Sequence, residues 1–221
     1  MRTFFGVGLL ASVLLAMTCC ATTGGKQAAG ASGLRPTGDR PLVLLEIFMD
    51  TRPFQERQGR SGSSLTVETT DSDFPAKPHE RVDQALKASI PRQGITVLDR
   101  GAGRAPLILS GEIRHFYGQI QMTRLPGKKE ATTSSFLPAN FHATVQVLAT
   151  LFDVEHQRVI FRKSFLATRD ERHSMSESKP QEAKRELVGL VEQCLTEVAS
   201  AVAEDTASHI RSTEQQPGPA P

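Results

Sequence analysis

Residues 140–152, Asn140-Phe141-His142-Ala143-Thr144-Val145-Gln146-Val147-Leu148-Ala149-Thr150-Leu151-Phe152, alternate in polarity. Phe141, Ala143, Val145, Val147, Ala149 and Leu151 point one way, and His142, Thr144 and Gln146 the other. Successive strand residues face opposite sides, so this is a strand with one face on a core. Downstream, Asp153 to Arg158 form a hairpin connection into a strand over Val159–Thr168. Upstream, the polar loop 123–135 separates it from a long strand over Leu107–Met122. In that strand Leu107, Leu109, Ile113 and Tyr117 alternate imperfectly with Ser110, Glu112 and Arg114, and Gly111 and Gly118 imply bends or bulges. The three strands form an antiparallel meander.

The rest of the chain supplies what covers that meander. Leu42-Val43-Leu44-Leu45-Glu46-Ile47-Phe48 is a continuous apolar run of strand length, which reads as a buried central strand. Residues 53–78 are polar and rich in Gly and Ser, a long and partly mobile excursion in which only Ser64–Thr69 has the character of a short edge strand. From His79 to Gly94, Val82, Leu86 and Ile90 recur at helical spacing; Pro91 disturbs the last turn and Gly94 stops it. Ile95–Leu98 is a short strand, followed by a turn at Gly101–Gly103. A final helix from about Gln181 to Ile210 carries Ala183, Leu187, Leu190, Val191, Cys194, Leu195, Val198 and Val202 on one stripe. The expected fold is α+β, a two-layer sandwich of a mainly antiparallel sheet with two helices packed on it. The domain spans residues 41–211, with a disordered tail at 212–221.

The first twenty residues decide the compartment. Arg2 precedes an apolar run, Phe4–Met17, that is too short to span a bilayer comfortably and ends in Cys19-Cys20. Residues 1–20 therefore read as a secretory signal, and the Ala-, Gly-, Thr- and Ser-rich residues 21–40 as a flexible tether. Leu14-Leu15-Ala16-Met17-Thr18-Cys19-Cys20-Ala21 resembles the bacterial lipobox, whose cysteine thiol is diacylated before cleavage. Cys20 is the preferred lipidation site, which puts Met17 and Cys19 at the motif's upstream positions; the alternative, Cys19, uses Ala16 and Thr18. Cleavage without lipidation, which leaves a soluble protein, is the less favoured alternative. Each buried CH₂ contributes about 0.8 kcal/mol, so two or three acyl chains hold a protein on a membrane where one binds reversibly.

Composition narrows the function. The formal net charge is +2 with no basic block, which argues against a nucleic-acid partner. Outside the Cys19-Cys20 pair the remaining cysteine is Cys194, so there is no disulfide framework and no Cys-x-x-Cys site. Gly6-Val7-Gly8-Leu9-Leu10-Ala11 spells a dinucleotide fingerprint inside the signal, without a βαβ unit around it, and is a coincidence. Gly101-Ala102-Gly103-Arg104 lacks the lysine and following helix of a phosphate loop. The six histidines are scattered. His115 and His142 would approach if their strands pair, but without carboxylates or thiols at metal-ligand spacing they are expected to be solvated or cross-strand, so no metal and no cofactor are expected. No Gly-x-Ser-x-Gly elbow is present, and Cys194 sits on an apolar stripe as a buried thiol, so the chain reads as no enzyme.

Asp50 and Arg52 are the leading polar pair, placed just after the buried strand at the edge of the sheet. There a carboxylate caps backbone N–H groups and an arginine forks onto a carboxylate; a structural role is favoured, with partner or ligand contact as the alternative. Arg124, Lys128 and Lys129 offer cations to phosphate head groups, although a solvated loop is the simpler account.

Asp50-Thr51-Arg52 after the first strand, Gln93-Gly94-Ile95-Thr96-Val97 after the helix, and Leu107-Ile108-Leu109-Ser110-Gly111-Glu112-Ile113 together make the chain similar to the YajG-like family of bacterial lipoproteins over about residues 42–205. The layout also resembles the auxiliary lipoproteins of ABC-type lipid transporters. The resemblance implies a Gram-negative envelope protein without known catalytic activity. Ala21, after Cys20, implies sorting to the outer membrane, because an Asp there favours inner-membrane retention. The function so implied is a lipid-anchored, periplasm-facing binding or assembly module with an envelope protein as partner. The alternative is the auxiliary subunit of a lipid transporter, with an acyl-chain pocket between helix and sheet.

Overall fold

In the computed structural model, residues 40–59, 66–122, 136–176 and 180–214 are described. The signal and lipobox, the tether up to residue 39, Arg124, Lys128, Lys129 and residues 215–221 lie outside the described residues. In chain order the elements are β1 (Leu42–Asp50), α1 (Phe54–Gln58), β2 (Thr66–Glu68), α2 (Pro78–Ser89), β3 (Thr96–Leu98), β4 (Leu107–Met122), β5 (Phe136–Asp153), β6 (Arg158–Ser176) and α3 (Pro180–Glu214).

The expected α+β fold and its meander are present. β4, β5 and β6 pair antiparallel in sequence order, and β1 adds beyond β4 to give the order β3-β1-β4-β5-β6. β1 runs parallel to both β3 and β4, so its two sides are satisfied and its apolar run is interior. Its second face is apolar as well, with Leu42 and Leu44 half-buried and Ile47 exposed, so Leu42–Phe48 shows no polar alternation. β2 pairs antiparallel with the far end of β4, along Gln119–Gln121, on the side that β1 occupies from Leu107 to Ile113.

Both large helices lie on one face. Val43, Leu45 and Phe48 of β1, Leu109, Ile113, Phe116 and Ile120 of β4, and Phe141, Val145, Val147 and Leu151 of β5 are buried there. Against them pack Val82 and Leu86 of α2, Ile90 just beyond it, and Leu187, Val191, Cys194, Leu195, Val198 and Val202 of α3. α2 gives way to a 3-10 turn at Ile90–Gln93, where Pro91 cannot donate, and Gly94 closes it at φ 81°. Arg81 of α2 forks onto Glu192 of α3, and Lys184 of α3 meets Asp73 at 2.7 Å, so ion pairs clip the helices at their rims.

Four expectations need correction. The excursion at 53–78 holds more than the short strand expected within Ser64–Thr69, which is β2: α1 and a 3-10 turn at Asp71–Asp73 also occupy it, and Thr70 and Asp73 cap that turn reciprocally. β6 runs on to Ser176, eight residues past its expected end at Thr168, because β5 extends to pair with it. Charged residues on both faces of residues 169–173 hid that extension from a polarity pattern. α3 continues to Glu214, so residues 212–214 belong to the helix and not to a disordered tail. Asp50 and Arg52 follow an interior strand, not one at the sheet's outer edge.

Gly118 sets how closely α3 approaches. A Cβ there would lie 2.6 Å from Leu187 Cγ, whereas a Cβ at Gly189, on the same helix, would meet nothing within 4 Å. Gly118→Ala is therefore expected to lower the unfolding free energy by about 1–3 kcal/mol through overpacking. Gly189→Ala should raise it by up to about 1 kcal/mol through helix propensity. Urea titration of both variants checks the pair, and equal effects would contradict this packing.

Candidate functional site

The run of β1 ends in a notch that the backbone does not fill. Thr51 N–H and its hydroxyl both donate to Ile113 O, at 3.1 and 3.0 Å, and these are the last contacts of the β1 side with β4. The β2 side resumes at Thr69, whose N–H donates to Gly118 O at 2.9 Å and whose hydroxyl accepts from Gly118 N at 2.8 Å. Between them the carbonyl of Phe116 faces neither strand. Arg52 Nη1 donates to it at 3.1 Å, so a side chain supplies the bond that a strand would have made.

Arg52 is 2% exposed, and its charge is balanced locally. Nε and Nη2 fork onto Asp50 at 2.9 and 2.8 Å, while Nη2 also donates to Asp71 Oδ1 at 2.8 Å. The guanidinium lies 5.8 Å from the centroid of the Phe116 ring, which adds a cation–π contact on its apolar side. Burial works to raise the Asp50 carboxyl, but the hydrogen bonds and charge of Arg52 outweigh it and hold that carboxyl below the usual carboxylate range. The planar fork matters here: a lysine offers one point charge, where the site has two carboxylates and a carbonyl at fixed angles. Of the two readings of Asp50 and Arg52, this geometry gives the structural one its content, since the guanidinium is turned inward and engaged.

The opposite face of the sheet carries neither α2 nor α3; of the described helices only the five-residue α1 reaches it, through Glu56. His115 and His142 both lie on it but do not meet, because the register sets His115 against Gln146 and His142 against Gln119. Tyr117 sits between them, its ring centroid 6.1 Å from one and 6.2 Å from the other. His115 Nδ1 is 2.7 Å from Glu56 Oε1 of α1, and no metal-holding group of three or more ligands occurs among the described residues. Of the other candidates, Cys194 is fully buried, with its thiol pushed up to about 11 by burial, and is therefore not a thiolate near neutrality.

Sequence reasoning missed one arrangement. Asp170 Oδ1 lies 2.8 Å from His142 Nδ1, and His142 Nε2 lies 2.9 Å from the Thr144 hydroxyl. An acid, an imidazole and a hydroxyl in series have the connectivity of a nucleophile relay. Its surroundings differ from a hydrolase site: Thr144 lies mid-strand between β4 and β6, where backbone N–H groups serve the ladders and none is left to hold an oxyanion. The signal was present as His142-x-Thr144 on one strand face, but Asp170 enters only through the unforeseen extension of β6.

A concavity of about 450 Å³ also opens on this face, lined by Glu46, Ile47, Met49, Arg100, Glu112 and Leu148 among others. It forms where the β1–β4 register shifts between Leu45 and Phe48. Met49 and Ile47 are 62% and 48% exposed there, large apolar groups left to water.

No protein-family model matches the chain, and no curated protein matches it. Among solved structures it is similar to a DUF330 protein of Xanthomonas campestris, at 16% identity and TM-score 0.46, covering 82% of this chain and 91% of that one. It is similar to the rare lipoprotein B of Shewanella oneidensis at 10% identity and TM-score 0.38, covering 79% and 99%. A minor lipoprotein of Acinetobacter baumannii is matched at 9% identity and TM-score 0.37, over 76% and 94%. At such scores and identities these likenesses assign the chain to no family.

The notch yields a stability prediction. Arg52→Ala leaves two carboxylates and a carbonyl without their donor and should cost about 3–5 kcal/mol; Arg52→Lys should recover only part of that. Because the folded Asp50 carboxyl is depressed, its contribution is complete above the ordinary value of 3.8 and is lost as pH falls through the lower folded value. Wild-type stability should therefore fall more steeply below pH 3.8 than that of Asp50→Asn. Denaturant midpoints across that range check it, and superimposable pH profiles would contradict it.

Proposed function

We propose that the chain is an envelope lipoprotein of a Gram-negative bacterium: anchored by lipid at Cys20, or alternatively Cys19, facing the periplasm from the outer membrane, and working as a non-enzymatic binding or assembly module. The observation that carries this reading is the apolar run Phe4–Met17 closing on Cys19-Cys20 ahead of the low-complexity residues 21–40. No described helix is long and apolar enough to cross a membrane. The anchor confines the domain to one leaflet, and the tether sets its effective concentration near membrane partners. Within the domain, the sheet face that carries Ile47, Met49 and the concavity beside Glu46 and Arg100 is the surface left for a partner. Among the described residues the side chains of Glu46 and Arg100 have no ion-pair or hydrogen-bond partner, so two opposite charges at its rim stand ready for one.

The alternative, an auxiliary subunit of a lipid transporter with an acyl pocket between helix and sheet, has less support. Leu187 and Val191 close directly over Gly118 in that layer, and the concavity opens on the other face.

Cys20→Ala is expected to move the protein from the membrane to the soluble fraction of cells. Retention in the membrane, with release on Cys19→Ala, would move the anchor by one residue, and retention in both single variants and in the double one would overturn the lipoprotein reading. A broad esterase and glycosidase screen of the purified protein should be blank. Turnover that His142→Ala abolishes would replace the binding module with a hydrolase built on the Asp170–His142–Thr144 series.

A further inference from the structure

β6 is the edge of the sheet, and among the described residues nothing pairs with its outer side. Its 19 residues make it the longest strand of the fold. An edge of this length presents a row of free N–H and C=O groups, a template for another strand. Natural edges are guarded by charge, and β6 carries charges, but their arrangement is not that of a guard. On the face away from α2 and α3 its central residues read Arg162, Ser164, Leu166, Thr168 and Asp170, with Arg172 following. Their orientation is fixed by their partners: Arg162 leans toward Glu112 at 3.6 Å, Ser164 accepts from Gln146 at 2.8 Å, and Asp170 meets His142. Leu166, at the centre, is 60% exposed.

We infer that β6 pairs with β6 of a second copy of this chain, antiparallel about a two-fold axis through Leu166, joining two sheets into one. An isologous antiparallel pair sets residue 166 plus n opposite 166 minus n, so the face must be symmetric in polarity and opposite in charge about its centre. Over Arg162–Asp170 it is: Leu166 meets Leu166, Ser164 meets Thr168, and Arg162 meets Asp170 twice over; beyond that span Arg172 falls opposite Ile160, where the β5–β6 ladder is already irregular. Moving the axis one same-face residue to Ser164 sets Leu166 against Arg162, and moving it to Thr168 sets Leu166 against Asp170. An axis through Ala167 opposes Arg162 to Arg172, and one through Phe165 opposes Leu166 to Ser164. Only the Leu166 axis pairs both the apolar group and the charges.

The local partners leave room for this. Asp170 engages His142 through Oδ1, which leaves Oδ2 for the second copy's arginine, and Arg162 holds only a long contact to Glu112. On the helix side the same register sets Lys163 against Arg169, like charges in direct opposition. Each already has its own carboxylate on α3, Lys163 with Asp205 at 2.9 Å and Arg169 with Glu197, so the opposition is between neutralised pairs.

The test uses the full chain in detergent. Light scattering should give the mass of two copies. Arg162→Asp faces Asp170 of the second copy with a like charge and should weaken association about tenfold or more. Arg162→Asp with Asp170→Arg restores opposite charges and should recover it, with thermal unfolding followed to confirm that each variant is folded. For the register, Leu166→Cys should give a disulfide between two 166-containing peptides under mild oxidation. Ser164→Cys, which the axis places about 13 Å from its own copy, should not. A monomeric mass at tens of micromolar, or cross-linking at 164 equal to that at 166, overturns the proposal, as does failure of the charge swap to restore association.

Discussion

One buried guanidinium joins two strands that share an edge. β1 and β2 come to the same side of β4 from different directions, one parallel and one antiparallel, and no continuous backbone can serve that whole side. Parallel and antiparallel ladders space their bonds differently, so a junction between them leaves a carbonyl over. Arg52 reaches Phe116 O at that junction, and Asp50 and Asp71 hold its charge. Asp50 comes from the end of β1 and Asp71 from the turn after β2. The same three side chains therefore tie the end of one strand to the start of the other's continuation, and the segment between becomes part of the fold.

That constraint explains what could and could not be read from residues alone. β5 was legible because a strand between two neighbours, with helices on one face and water on the other, must alternate. α3 was legible for the same reason at helical period, its stripe from Ala183 to Val202 being buried as expected. The Asp50-Thr51-Arg52 pattern was visible as a pair of charges after a strand, yet its third member, Asp71, lies 19 residues on, beyond any local pattern. Around the short strand expected at Ser64–Thr69 the order was hidden likewise: α1 has five residues and the turn at Asp71–Asp73 three, too few to show a period. The relay of Asp170, His142 and Thr144 was half legible, since the strand-face pair was in view and the acid was not.

The two faces of the sheet do different work. The helix side is closed to the point that Gly118 cannot carry a Cβ, and a thiol there is held protonated. The open side collects His115, His142, the single tyrosine, the rim charges Glu46 and Arg100 and the exposed Ile47, Met49 and Leu166. A domain built this way has its packed core on one side and its exposed groups on the other, so changes on the open face need not be transmitted to the core.

The parallel pairing of β1 has a consequence for the order in which the chain can fold. Thr51 and its carbonyl partner Ile113 are 62 positions apart, and Arg52 and Phe116 are 64 apart. β4, β5 and β6 meet their neighbours through hairpins, at small closure entropy, whereas β1 is synthesised first and must wait for β4. Until β3 and then β4 emerge, Leu42–Phe48, the most apolar strand among the described residues, is without a partner. An unfinished fold thus leaves open a segment prone to stick, and a chaperone that engages unfolded chains would find a binding site there.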